Sequence, residues 1–65
     1  MAEYEKKVRE IIVANGCRFV RHGKGDHDIW YSPITDRHIT VDRKIKSRYT
    51  ANEIMKQSGI PFRFR

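Results

Sequence analysis

Apolar residues recur at helical spacing early in the chain and at alternating spacing in its middle. Tyr4, Val8, Ile11 and Ile12 fall at i, i+4, i+7 and i+8, which puts them on one face of a helix over 2–15. Glu3 and Glu5 stand near the positive end of that helix's dipole. Asn15-Gly16 supplies the stop, with Gly16 suited to a left-handed C′ position. Three strands follow. The first spans 17–22 with Phe19 and Val20, and Gly23-Lys24-Gly25 forms the turn after it. The second spans 26–32 and carries Ile29, Trp30 and Tyr31. Pro33 to Asp36 makes the next turn, because a proline lacks the N–H that a central strand requires. The third spans 37–42, where Ile39 and Val41 alternate with His38 and Thr40. Connections this short suit an antiparallel meander.

A basic loop, Arg43 to Tyr49, follows the strands. Thr50-Ala51-Asn52-Glu53 matches a capping box, with Thr50 as N-cap and Glu53 at N3. The second helix then covers 51–58 with Ile54 and Met55 facing inward; Gly59 ends it and Pro61 prevents its continuation. The last residues, 61–65, alternate apolar and basic, a pattern open to a short added strand or a flexible tail. Helix, three strands, helix is an α+β order, read here as one domain over 1–65. Its natural packing lays both helices on one face of a three-stranded antiparallel sheet and leaves the other face open. This is the layout of double-stranded-RNA-binding domains.

Size restricts where function can sit. A chain of 65 residues buries only roughly 60% of its unfolded surface, so a deep pocket is not expected and function belongs on an open face. The seven aromatic residues argue against disorder. No apolar run approaches the roughly 20 residues of a membrane span, and no apolar stretch follows the charges at 3–7 to make a signal peptide. A lone Cys17 forms no internal disulfide, which fits a reducing cytoplasm. Cys17 and the three histidines have no zinc spacing, and no cofactor is expected.

Charge sharpens the picture. The net charge is +6, and residues 1–42 are balanced. Residues 43–65 hold Arg43, Lys44, Lys46, Arg48, Lys56, Arg63 and Arg65 against Glu53, so the whole excess lies there. Such a one-sided basic segment is the footprint of a polyanion partner.

Of His22, His27 and His38, only His27 follows a glycine turn at a strand start, in Gly25-Asp26-His27. Backbone beside glycine can approach a phosphate closely. An imidazole, with an ordinary pKa near 6.5, exchanges protons at neutral pH. The pair would set a general base beside a ribose 2′-hydroxyl. The plain alternative is a surface histidine at a strand end, and His22 and His38 are read that way.

The run from Val8 to Ile60 resembles the HicA family of toxins from toxin–antitoxin operons. Asn15-Gly16-Cys17, Val20-Arg21, Gly23-Lys24-Gly25-Asp26-His27, Trp30, Thr40-Val41 and the stretch Thr50 to Ile60 carry the resemblance. It implies a double-stranded-RNA-binding-like fold, metal-independent cleavage of single-stranded messenger RNA with His27 catalytic, and neutralisation by a HicB-type antitoxin. Lys24 and Gly25 would then steady the phosphate, while Lys44, Lys46 and Arg48 hold the RNA backbone. Asp26 stands where the family usually has serine. A serine hydroxyl donates to a phosphate and a carboxylate repels it, so Asp26 is read as a group that orients or charges the imidazole. After the third strand, where members often place a proline and a histidine, the chain reads Asp42-Arg43-Lys44.

Two alternatives stay open at this point. One is a non-catalytic RNA-binding module of the same fold. The other is a metal-dependent DNA nuclease, with Asp28 and Asp42 holding Mg²⁺ and Lys44 steadying the attacking water. Strand alternation supplies a test. A catalytic His27 needs the open face; Ile29 and Tyr31 would share it and be exposed, with Asp28, Trp30 and Ser32 turned toward the helices.

Overall fold

The computed structural model describes residues 4–65 and gives the order α1 (Glu5–Ala14), β1 (Arg18–His22), β2 (His27–Ser32), β3 (Arg37–Asp42) and α2 (Arg48–Ser58). The strands form one antiparallel sheet in the order β1-β2-β3. This is the α+β meander that the polar–apolar pattern predicts. Positions 2 and 3 of the expected first helix, Glu3 included, lie outside the described residues.

Burial follows the two periodicities. On α1, Val8 and Ile12 are fully buried, one turn apart, and Tyr4 and Ile11 flank them half-buried. On α2, Ala51, Ile54, Met55 and Ser58 fall at i, i+3, i+4 and i+7 and are all buried. These faces meet Trp30, Ile39 and Val41 of the sheet in one cluster with Cys17, Ile45 and Ile60. Each large apolar side chain buried in this way contributes about 1.5–3 kcal/mol. A polar clamp ties α2 to the sheet: Ser32 Oγ donates to the Ser58 carbonyl at 2.7 Å, and Ser58 Oγ donates to the Ile54 carbonyl at 2.7 Å.

The second helix begins earlier than the capping box implies. Ser47, not Thr50, is the N-cap: its backbone is extended and its hydroxyl accepts from Tyr49 N at 3.1 Å. Thr50 already lies inside the helix, so its hydroxyl is no longer at a free helix end. Arg48 therefore sits on the first turn of α2 rather than in the preceding loop. At the other end, Gly59 adopts φ +75, and a Cβ there would lie 2.8 Å from side-chain carbons of Ile34 and Thr35. Only glycine satisfies both the left-handed cap and the close approach of the β2–β3 turn.

Residues 59–65 form neither an added strand nor a loose tail. Asn52 holds them with both ends of its amide: Nδ2 donates to the Phe64 carbonyl at 3.0 Å, and Phe64 N donates to Oδ1 at 2.6 Å. Phe64 also meets Tyr4 edge-on at 5.4 Å between ring centroids.

Candidate active site

The register of the β2–β3 hairpin assembles the site. His27 pairs with Asp42, Ile29 with Thr40 and Tyr31 with His38, and these side chains occupy the face away from the helices. Asp28, Trp30 and Ser32 are buried on the helix side, as alternation requires. Ile29 and Tyr31 are half-buried rather than fully exposed. Tyr31 is shielded by the Arg18 guanidinium, 5.8 Å from its ring centre, and by the edge of His38. Its hydroxyl donates to Asp36, and that carboxylate pushes the phenol pKa above its ordinary value.

His27 Nδ1 lies 2.5 Å from Asp42 Oδ1, with half of the imidazole side chain exposed. A carboxylate on Nδ1 fixes the ring orientation and favours the tautomer that presents Nε2 as the acceptor. Asp26, expected to orient the imidazole, does something else. Its backbone carbonyl accepts from Arg43 N at 2.8 Å, while its side chain is exposed. Residue 42 directly opposes residue 27 in the ladder, whereas Asp26 lies in the turn, one residue before the strand begins.

Of the other proposed residues, Lys24 and Gly25 lie in the turn just before His27, and Lys44, Lys46 and Arg48 follow Asp42 in the chain. Gly25 has φ +66, and apart from its chain neighbours no atom lies within 4 Å of where its Cβ would be, so the space on that side of the turn is open. Lys24, Lys44, Lys46 and Arg48 are all exposed. Arg43 joins the glycine turn to the basic loop through its backbone bond to Asp26 and a side-chain bond to the Gly25 carbonyl at 3.5 Å. Ile45, fully buried between Lys44 and Lys46, pins the loop to the core, and its carbonyl accepts from Tyr4 N at 3.1 Å.

A second histidine–aspartate pair lies on the helix side of the same turn. His22 Nδ1 lies 2.9 Å from Asp28 Oδ1, and Arg43 Nε donates to that same oxygen at 3.2 Å. The His22 hydrogen bond, aided by Arg43, holds the Asp28 carboxyl below the usual range despite its burial. Asp28 and Asp42 thus face opposite sides of the sheet, each engaged by its own partner, and do not converge as a Mg²⁺ pair would require. A lowered folded-state pKa means that Asp28 adds stability above its ordinary value near 3.9, and that this is lost as pH falls through the folded value. His22 is 71% exposed and Arg43 39%, so solvent screens the cluster and Asp28→Asn should cost about 1 kcal/mol at pH 7. Denaturant titrations at pH 7 and below pH 3 should show the difference between wild type and Asp28→Asn shrinking in acid.

No curated protein and no solved structure matches the chain. The family model described as the HicA toxin of bacterial toxin–antitoxin matches residues 6–60, a span that includes the whole glycine turn, His27, Asp42 and the basic loop. Among the described residues, no helix is long and apolar enough to cross a membrane. With most of its length matched by that family model, the chain belongs to the HicA toxin family and is the toxin of a toxin–antitoxin system.

Proposed function

We propose that this toxin is a metal-independent endoribonuclease that cuts messenger RNA through His27 and is neutralised by a HicB-type antitoxin. The observation that carries the reading is His27 on the uncovered sheet face with Asp42 on Nδ1. Nε2 takes the proton of a ribose 2′-hydroxyl, whose oxygen attacks the adjacent phosphorus. The P–O5′ bond breaks, the leaving O5′ takes up a proton that the imidazolium gives back through solvent, and the products are a 2′,3′-cyclic phosphate, a 5′-hydroxyl and neutral His27. Asp42 stabilises the imidazolium formed in the first step. The open Gly25 backbone and Lys24 steady the phosphate, and Lys44, Lys46 and Arg48 hold the flanking chain. General acid–base help of this kind is worth roughly 10²- to 10⁴-fold.

The antitoxin would occupy the same face, around His27, Ile29 and Tyr31. An acidic surface suits a chain of net charge +6. A standard interface takes about 800 Å² per partner, roughly a sixth of the 4713 Å² exposed here, so such a partner and RNA would exclude one another. The test is cleavage of an unstructured RNA with and without EDTA. Equal rates are expected; loss of activity in EDTA would transfer the chemistry to a metal.

A further inference from the structure

Away from His27, α2 and the strapped segment 60–65 enclose an open cleft of about 1000 Å³. Tyr49 is 75% exposed and Phe62 42%, and neither belongs to the core. Arg48 lies over the Tyr49 ring at 5.6 Å, and Phe62 meets Phe64 edge-on at 4.8 Å. Lys56, Arg63 and Arg65 complete the rim, with Glu53 as its acid. Four cations with two uncovered aromatic rings make a surface on which bases stack while phosphates are neutralised.

The cleft connects to the active site. A second groove, about 490 Å³, runs between β3 and α2 and is lined by Thr40, Asp42, Tyr49, Thr50 and Glu53. Tyr49 and Glu53 border both grooves, and Asp42 is the residue that holds His27. The two grooves thus form a trough along the free edge of β3, with Asp42, the partner of His27, lining one end and Phe62 and Arg63 lining the other.

We infer that this trough is a second RNA subsite, which binds a few unpaired nucleotides flanking the cut by stacking bases on Tyr49 and Phe62 and pairing phosphates with Arg48, Arg63 and Arg65. The inference rests on the reading of the protein as a ribonuclease. Single-stranded RNA is favoured over a protein occupant because the larger cleft combines four cations with exposed rings, and because the smaller groove joins it to Asp42, the partner of His27. The Asn52–Phe64 clamp gives the segment a fixed course along α2, so its arginines are positioned before RNA arrives.

The test is binding of a labelled, unstructured RNA to the uncut His27→Ala background, read by fluorescence anisotropy across salt concentrations. Tyr49→Ala should weaken binding about ten-fold, the range for removing one base stack. Arg63→Ala with Arg65→Ala should lower the log–log salt slope by about 1.4, since each neutralised phosphate on a single strand adds roughly 0.7. Neither variant removes a buried side chain, so melting curves should match the background. Affinity within two-fold and an unchanged slope in both variants, while wild type cuts the same RNA, would overturn the subsite. So would variants that keep RNA affinity but lose self-association or antitoxin binding, since the trough would then be a protein interface. A wild type that neither binds nor cuts RNA would overturn the ribonuclease reading itself.

Discussion

Replacing His27 with alanine should leave a folded protein that cuts RNA about 10²- to 10⁴-fold more slowly. The imidazole is half exposed and lies outside the core, so its loss should change stability by no more than about 0.5 kcal/mol. Asp42→Asn should slow cutting by about ten-fold or more, because an amide neither enforces the tautomer nor stabilises the imidazolium. Asp26→Asn should leave the rate close to wild type, since its carboxylate is exposed and the Nδ1 position belongs to Asp42. Single-turnover rates at saturating protein separate these effects from binding. A wild-type rate in His27→Ala would shift attention to the His22–Asp28 pair across the sheet.

The second large effect is structural. Ile45→Ala should cost about 2–5 kcal/mol, the range for a fully buried large-to-small change. A chain of 65 residues has only roughly 3–10 kcal/mol of stability in total, so this variant is expected to be partly unfolded near 37 °C. The cost arises where the core meets the basic loop: Ile45 is the one buried side chain between Lys44 and Lys46, and its carbonyl receives Tyr4 N. Ile45→Val keeps most of the volume and should cost about 1 kcal/mol. Thermal melts should show a drop of about ten degrees or more for alanine and a few degrees for valine. Equal melting temperatures for wild type and Ile45→Ala would mean that the loop is not anchored through this residue.

Much of the fold is legible in the polar–apolar pattern because each signal there is local. The Val8/Ile12 stripe, the Ile39/Val41 alternation and the Gly59 stop each depend on neighbours within a turn or two. The capping pattern misplaces the start of α2 because Thr50 and Glu53 satisfy it as well as Ser47 does; the choice is made by the chain's path out of β3 and by burial of Ile45. Asp42 is within reach of register reasoning. If Ser32 opposes Arg37 across a four-residue turn, counting back along β2 and forward along β3 sets His27 against Asp42.

The His22–Asp28 contact has no such signal. The register of β1 on β2 shifts between Phe19 and Arg21, and this irregularity brings His22 opposite Asp28 instead of opposite His27. One extra residue thus moves a histidine from the sheet face that carries His27 to the other side of the sheet. The trough along β3 is also hidden in the sequence, because it depends on Asn52 reaching across to Phe64, a contact that no periodicity encodes.

In the proposed reaction an imidazole, not a metal, activates a ribose hydroxyl. The most direct test is the chemistry of the new ends when the protein cuts a defined RNA in EDTA, read by mass spectrometry. A 2′,3′-cyclic phosphate with a 5′-hydroxyl is the predicted pair, and both should vanish when a single 2′-deoxy nucleotide stands at the cut. A 5′-phosphate with a 3′-hydroxyl, or equal cutting of the deoxy-substituted strand, would contradict it.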